Sequence, residues 1–78
     1  SALQEWAQGR GHGTPRYEFF GQSGPDHAPS FTMVVYVGTF DPVSGMGETK
    51  RLAEQNAAAD FLNRMGQGDG SPDAPGGT

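Results

Sequence analysis

"TKRLAEQNAAADFLNRMG", residues 49–66, is the stretch from which the fold is read. Ala53, Ala57, Phe61 and Met65 recur every four residues, with Ala58 and Leu62 alongside. This spacing predicts one apolar face of an amphipathic helix from about Lys50 to Met65. Thr49 stands before it as an N-cap, a residue whose side-chain oxygen accepts from a free backbone N–H of the first turn. Gly66 follows as the C-terminal stop, because glycine takes the left-handed conformation that closes a helix. A helix with one apolar face needs a surface to lie on, and that surface must come from upstream.

Residues 31–37 of "SFTMVVYVG" (30–38) alternate, with Phe31, Met33, Val35 and Val37 on one face and Thr32, Val34 and Tyr36 on the other. This predicts a strand whose second face, not very polar, is partly covered. "RYEFF" (16–20) alternates in part and its aromatics favour a strand, while "VSGMG" (43–47) is read as a short third one. "GQSGPDHAPS" (21–30) is a loop of turn residues, and "GTFDP" (38–42) turns the chain again. In "ALQEWAQGR" (2–10), Leu3, Trp6, Ala7 and Arg10 form one stripe of a short helix, with Gln4, Glu5 and Gln8 off it. "GRGHGTP" ends that helix. The order helix, three strands, helix predicts an α+β fold, α-β-β-β-α. Short connections make the sheet antiparallel, and both helices must cover one of its faces. The domain is expected over 1–66. The Gly/Pro/Asp-rich stretch 67–78 is expected to be a disordered tail or linker.

Seventy-eight residues allow one small domain. Such a domain buries only about 60% of its unfolded surface. Without cysteine there is neither a disulfide nor a thiolate metal site, which fits an intracellular setting, cytoplasmic or nuclear. No apolar run approaches the ~18 residues of a membrane helix, and no signal-peptide pattern opens the chain. The start at Ser1 reads as that of a piece cut from a longer protein. The net charge of −4 argues against general attraction to nucleic acid. Without Asp69 and Asp73 of the tail the balance is five basic residues against seven acidic ones. Placement of the charges therefore matters more than their sum.

Enzyme chemistry finds no support. His12 and His27 lie in separate glycine- or proline-rich loops, and there is no H-E-x-x-H or cysteine cluster to hold a metal. Asp26 and His27 with Ser23 nearby have catalytic residue types, but neighbours in a turn lack the elbow and oxyanion site that a triad needs. "GRGHG" and "GMGETK" do not complete a phosphate-loop pattern. No cofactor is expected.

The only lysine, Lys50, stands beside Arg51 at the start of the second helix. Cations are unfavourable there by a few tenths of a kcal/mol each, because the helix dipole is already positive at that end. Dipole, free N–H groups and two cations together make a natural place for a phosphate. Glu54, four residues after Lys50, is spaced to pair with it on the same helix face.

With these elements placed, "LQEWAQ", "P-R-Y-E", "SGPDHAPSFTMVVYV", "GMG" and "TKRLAEQNAAADFL" resemble, in order and spacing, a double-stranded RNA-binding domain over residues 2–65. "LQE…Q-G-R" and "R-x-AEQ-AA" look most like the C-terminal domain of bacterial ribonuclease III. "G-M-G…A-A-x-D-F" is also similar to the first such domain of RNA helicase A-like proteins. The resemblance implies the same α-β-β-β-α fold and three contacts with A-form RNA, spanning ~16 base pairs. Gln4 and Glu5 match the family's first-helix "Q-E" and would meet a minor groove. Pro25, Asp26 and His27 match its "G-P-x-H" loop and would reach the next one. Thr49, Lys50 and Arg51 match its second-helix start and would straddle phosphates of the major groove between. Ala53, Ala57 and Ala58 match the small residues that pack that helix on the sheet. Glu54 departs from the pattern, since many members carry a lysine there, although ribonuclease III-like members often have glutamate.

The expected function is binding of double-stranded RNA by shape, as a non-catalytic module of a larger nuclease, helicase or editing protein, with no membrane partner. The alternative is a degenerate member that uses the fold for protein contact or dimerisation. The net charge and Glu54 favour the alternative; Lys50, Arg51, His27, Gln4 and Glu5 favour RNA.

Overall fold

The computed structural model describes residues 1–66; the stretch 67–78, read above as a disordered tail, lies outside the described residues. The chain runs α1 (Ala2–Gly9), β1 (Arg16–Ser23), β2 (Ser30–Tyr36), β3 (Val43–Gly47), α2 (Lys50–Arg64). The strands form one antiparallel sheet in the order β1-β2-β3. This is the α-β-β-β-α arrangement expected from the spacing of apolar residues.

Both helices begin on a hydroxyl cap. The Gln4 N–H donates to Ser1 Oγ at 3.2 Å, and the Leu52 N–H donates to Thr49 Oγ1 at 3.0 Å. Each satisfies one of the free donors that a helix start leaves open. At the far end of α2, Gly66 has φ +77° and its N–H donates to the Asn63 carbonyl at 3.1 Å. The stop read from Gly66 is in place.

The core lies between the helices and one sheet face. Leu3 and Ala7 of α1 meet Ala57, Phe61 and Leu62 of α2, and Val35, Val37 and Val43 close the cluster from the sheet side. The alternation in β2 holds, with Met33 and Val35 buried, Val37 buried just beyond the strand, and Thr32, Val34 and Tyr36 half-buried. Trp6 and Phe40 approach Phe61 edge-on, with centroids 5.5 and 5.6 Å away, the geometry aromatic quadrupoles prefer. His12 leaves its loop to stack on Trp6 at 5.6 Å.

One boundary differs from the sequence reading. Residues 21–23, taken as loop, continue β1: Gly21, Gln22 and Ser23 pair with Thr32, Phe31 and Ser30. The register shifts between Phe19 and Gly21, where an extra residue is taken up as an irregularity. Pairing with β2 overrides the turn preference of these residues, because the hairpin ladder supplies partners for their backbone groups. The connecting loop is thereby shortened to 24–29.

Candidate nucleic-acid interface

The eight residues singled out from sequence occupy three places. Gln4 and Glu5 lie on the exposed side of α1, away from buried Leu3 and Ala7. Glu5 is in the first turn, where the helix dipole favours an anion. Pro25, Asp26 and His27 are exposed at the tip of the β1–β2 hairpin. The Ala28 N–H donates to the Pro25 carbonyl at 2.9 Å, making Asp26 and His27 the central residues of a turn. Thr49, Lys50 and Arg51 are exposed at the start of α2.

Helix α2 ties these places together. Arg51 lines an open groove of about 460 Å³ with Leu3 and the N-terminal end of α1. Lys50 turns the other way: its Nζ stands 4.7 Å from the centroid of Phe19 on β1. The strand carrying Phe19 runs on to the hairpin tip. The first turn of α2 thus borders a groove shared with the start of α1 and reaches, through Lys50, the strand that leads to His27.

The charges sort themselves unevenly. Arg16 is paired with Glu18, and Arg64 with Asp60 at 3.0 Å. The Arg10 guanidinium lies 4.7 Å over the Trp6 ring. Lys50 and Arg51 form no ion pair among the described residues. Of the five basic residues, Arg10, Lys50 and Arg51 have no carboxylate partner among the described residues, and of these Lys50 and Arg51 stand side by side.

The expected pairing of Lys50 with Glu54 is not formed. Glu54 is half-buried in the groove with Tyr17, Arg51, Gln55 and Leu62. Burial of Tyr17 pushes its phenol above the ordinary value, and the nearby Glu54 carboxylate adds to the rise. An i, i+4 ion pair on a helix surface is worth only a few tenths of a kcal/mol. Packing of α2 onto β3 and β2, with α1 alongside, outweighs that.

Three residues that matter here received no role from sequence. In the sequence Tyr17 and Phe19 signal only strand aromatics, and Gly45 only the first glycine of "GMG". The alternation of Tyr17 and Phe19 would place both on one strand face, but nothing local names the helix that meets them. Among the described residues no three metal-binding side chains come together, and no helix is long and apolar enough to cross a membrane.

Comparison with known proteins gives the family and the same fold. The family model described as "Double-stranded RNA binding motif" matches residues 1–65. Ribonuclease 3 of Methylocella silvestris is 52% identical over 64 residues, covering 82% of this chain and 27% of that protein. Ribonuclease 3 of Caulobacter vibrioides is 47% identical over 68 residues, covering 87% of this chain and 29% of that one. The chain therefore spans little more than a quarter of the length of these relatives. Among solved structures, the first dsRBD of protein HYL1 superposes with a TM-score of 0.68 at 32% identity, covering 86% of this chain and 94% of that one. The two-dsRBD structure of DRB4 with its linker gives 0.65 at 38% identity, over 87% and 44% of the two chains. With its fold, its sequence and the family model in agreement over nearly all the described residues, this chain belongs to the double-stranded RNA binding motif family.

Proposed function

We propose that this chain holds double-stranded RNA by its A-form geometry, with little sequence preference, as the gripping module of a longer RNA-processing protein. One observation carries the reading: Lys50 and Arg51 are adjacent, exposed and without ion-pair partners among the described residues at the N-terminus of α2, in a chain of this family. Phosphates of the major groove would be held there by charge-assisted hydrogen bonds, with the Thr49 hydroxyl and the free N–H groups of the first turn beside them. Gln4 and Glu5 would meet 2′-hydroxyls and base edges of one minor groove, a hydroxyl donating to the Glu5 carboxylate. Pro25, Asp26 and His27 at the hairpin tip would enter the next minor groove. The chain itself is non-catalytic in this reading. The matched relatives are ribonucleases of which it spans about a quarter, so cleavage would belong to the rest of such a protein. In this reading the protein acts inside the cell.

A second reading has one observation in its favour. Met46, between Gly45 and Gly47 on β3, is 54% exposed, and Phe20, at the irregularity of β1, is 76% exposed. Two large apolar side chains left on the sheet suit contact with another protein.

Chemical-shift mapping by NMR with a ~20-base-pair RNA duplex separates the two, at a length that covers the family footprint. Shifts at 4–5, 25–27 and 49–51, with a DNA duplex of equal length competing poorly, support RNA recognition. A flat response to RNA, with shifts at Phe20 and Met46 when protein concentration rises, supports protein contact instead.

A further inference from the structure

We infer that Phe19 is a positioning residue for RNA binding: its ring holds the Lys50 ammonium in place at the mouth of α2 while leaving the charge free for a phosphate. This rests on the RNA-binding reading above. Three observations lead to it. First, the Lys50 Nζ lies 4.7 Å from the Phe19 centroid, within the ~6 Å at which a cation is attracted to an aromatic face. Second, Phe19 is 51% exposed and absent from the buried cluster, so core packing does not account for a phenylalanine there. Third, Lys50 has acidic neighbours in sequence, Glu48 and Glu54, yet pairs with neither among the described residues.

The chemistry of the choice is specific. A lysine in the first turn of a helix is repelled by the dipole and by its own N–H groups, and its four-carbon stem leaves it many rotamers. A carboxylate would hold it, but would also neutralise it and compete with an incoming phosphate. An aromatic face attracts the ammonium through its quadrupole and carries no net charge. The lysine is ordered before RNA arrives, and its charge stays available. Phe19 is also the last regularly paired residue of β1, opposite Met33, before the register shift. The ring is thus anchored to the sheet.

The test uses Phe19→Leu, which keeps apolar bulk and removes the π face, Phe19→Tyr, which keeps the face, and Lys50→Ala as reference. In the free protein, ring current from Phe19 should shift the Lys50 Hε protons upfield. Phe19→Leu should abolish that shift and Phe19→Tyr should preserve it. At low salt, Phe19→Leu should weaken binding to a ~20-base-pair RNA duplex about two- to fivefold, the range set by an exposed cation–π pair. Phe19→Tyr should bind as wild type, and Phe19→Leu should add nothing in a Lys50→Ala background. Circular dichroism checks that each variant is folded. If Lys50→Ala weakens binding and folded Phe19→Leu does not, the positioning role is wrong and the RNA reading stands. If Lys50→Ala has no effect either, both fall. Absence of the upfield shift in the wild-type protein overturns the role of Phe19 without any RNA present.

Discussion

Gly45 on β3 lies directly under Ala53 and Ala57 of α2. A β-carbon on Gly45 would overlap the Ala57 amide and stand 2.5 Å from the Ala53 carbonyl oxygen. Both alanines are fully buried, so three small residues in register let the helix backbone descend onto the strand. Gly45→Ala forces helix and strand apart. Overpacking of this kind costs about 1–3 kcal/mol, a large part of what holds so small a domain together. Urea unfolding should show an unfolding free energy lower by that amount and a correspondingly lower midpoint. Gly9→Ala, at the end of α1 with open space around it, should be neutral or stabilising by up to about 1 kcal/mol. Equal midpoints for Gly45→Ala and wild type would contradict the close approach of α2 to β3.

Replacing both Lys50 and Arg51 by alanine should weaken duplex RNA binding at least tenfold and leave the fold intact. Each charge-assisted contact is worth about 1.5–3 kcal/mol when formed, and neither residue is buried. Removal of two unfavourable charges at a helix start should leave thermal stability unchanged or slightly raised. Unchanged affinity in the folded double variant would remove the start of α2 from the binding surface.

Glu54→Lys should tighten duplex RNA binding and steepen its salt dependence. The carboxylate stands in the groove that Arg51 also lines, one turn along from Lys50. No ion pair between Lys50 and Glu54 is lost by the change, because none is formed. One added phosphate contact should raise the salt slope by a little under ~1 unit, taking the B-DNA coefficient as a guide. Titrations of both proteins at two salt concentrations decide it, and no gain at low salt would show that this side of α2 faces away from the phosphates.

Tyr17 should titrate above its ordinary value of 10.0, first because it is buried and second because Glu54 is near. The folded state therefore favours the neutral phenol. That contribution to stability is fully present below the unfolded value near pH 10 and is lost as pH rises through the higher folded value. Glu54→Gln should bring Tyr17 part of the way down, since burial remains. Tyr36→Phe leaves Tyr17 as the only tyrosine, so tyrosinate absorbance in that background reads it directly. A Tyr17 titration unmoved by Glu54→Gln would place the carboxylate elsewhere.

Much of this protein is legible in its sequence for a physical reason. The spacing of Ala53, Ala57, Phe61 and Leu62 and the alternation from Met33 to Val37 are local periodicities, and each names an element and its buried face without help from the rest of the chain. Thr49 and Gly66 mark the ends of α2 by chemistry confined to a single turn. The family and the candidate residues at Gln4, His27, Lys50 and Arg51 could be read from motif and order. What tertiary structure decided is where side chains turn once distant elements meet. Lys50 goes to Phe19, 31 positions earlier in the chain, and Glu54 goes into the groove with Tyr17 although Lys50 is its neighbour on the helix. Residues 21–23 join the sheet against their turn preference because β2 offers them a ladder. Gly45 matters because a helix backbone comes to rest on it. The extension of β1 depends on its pairing with β2, the other outcomes on the docking of α2 against the sheet and α1, and no local pattern encodes the space that such docking leaves.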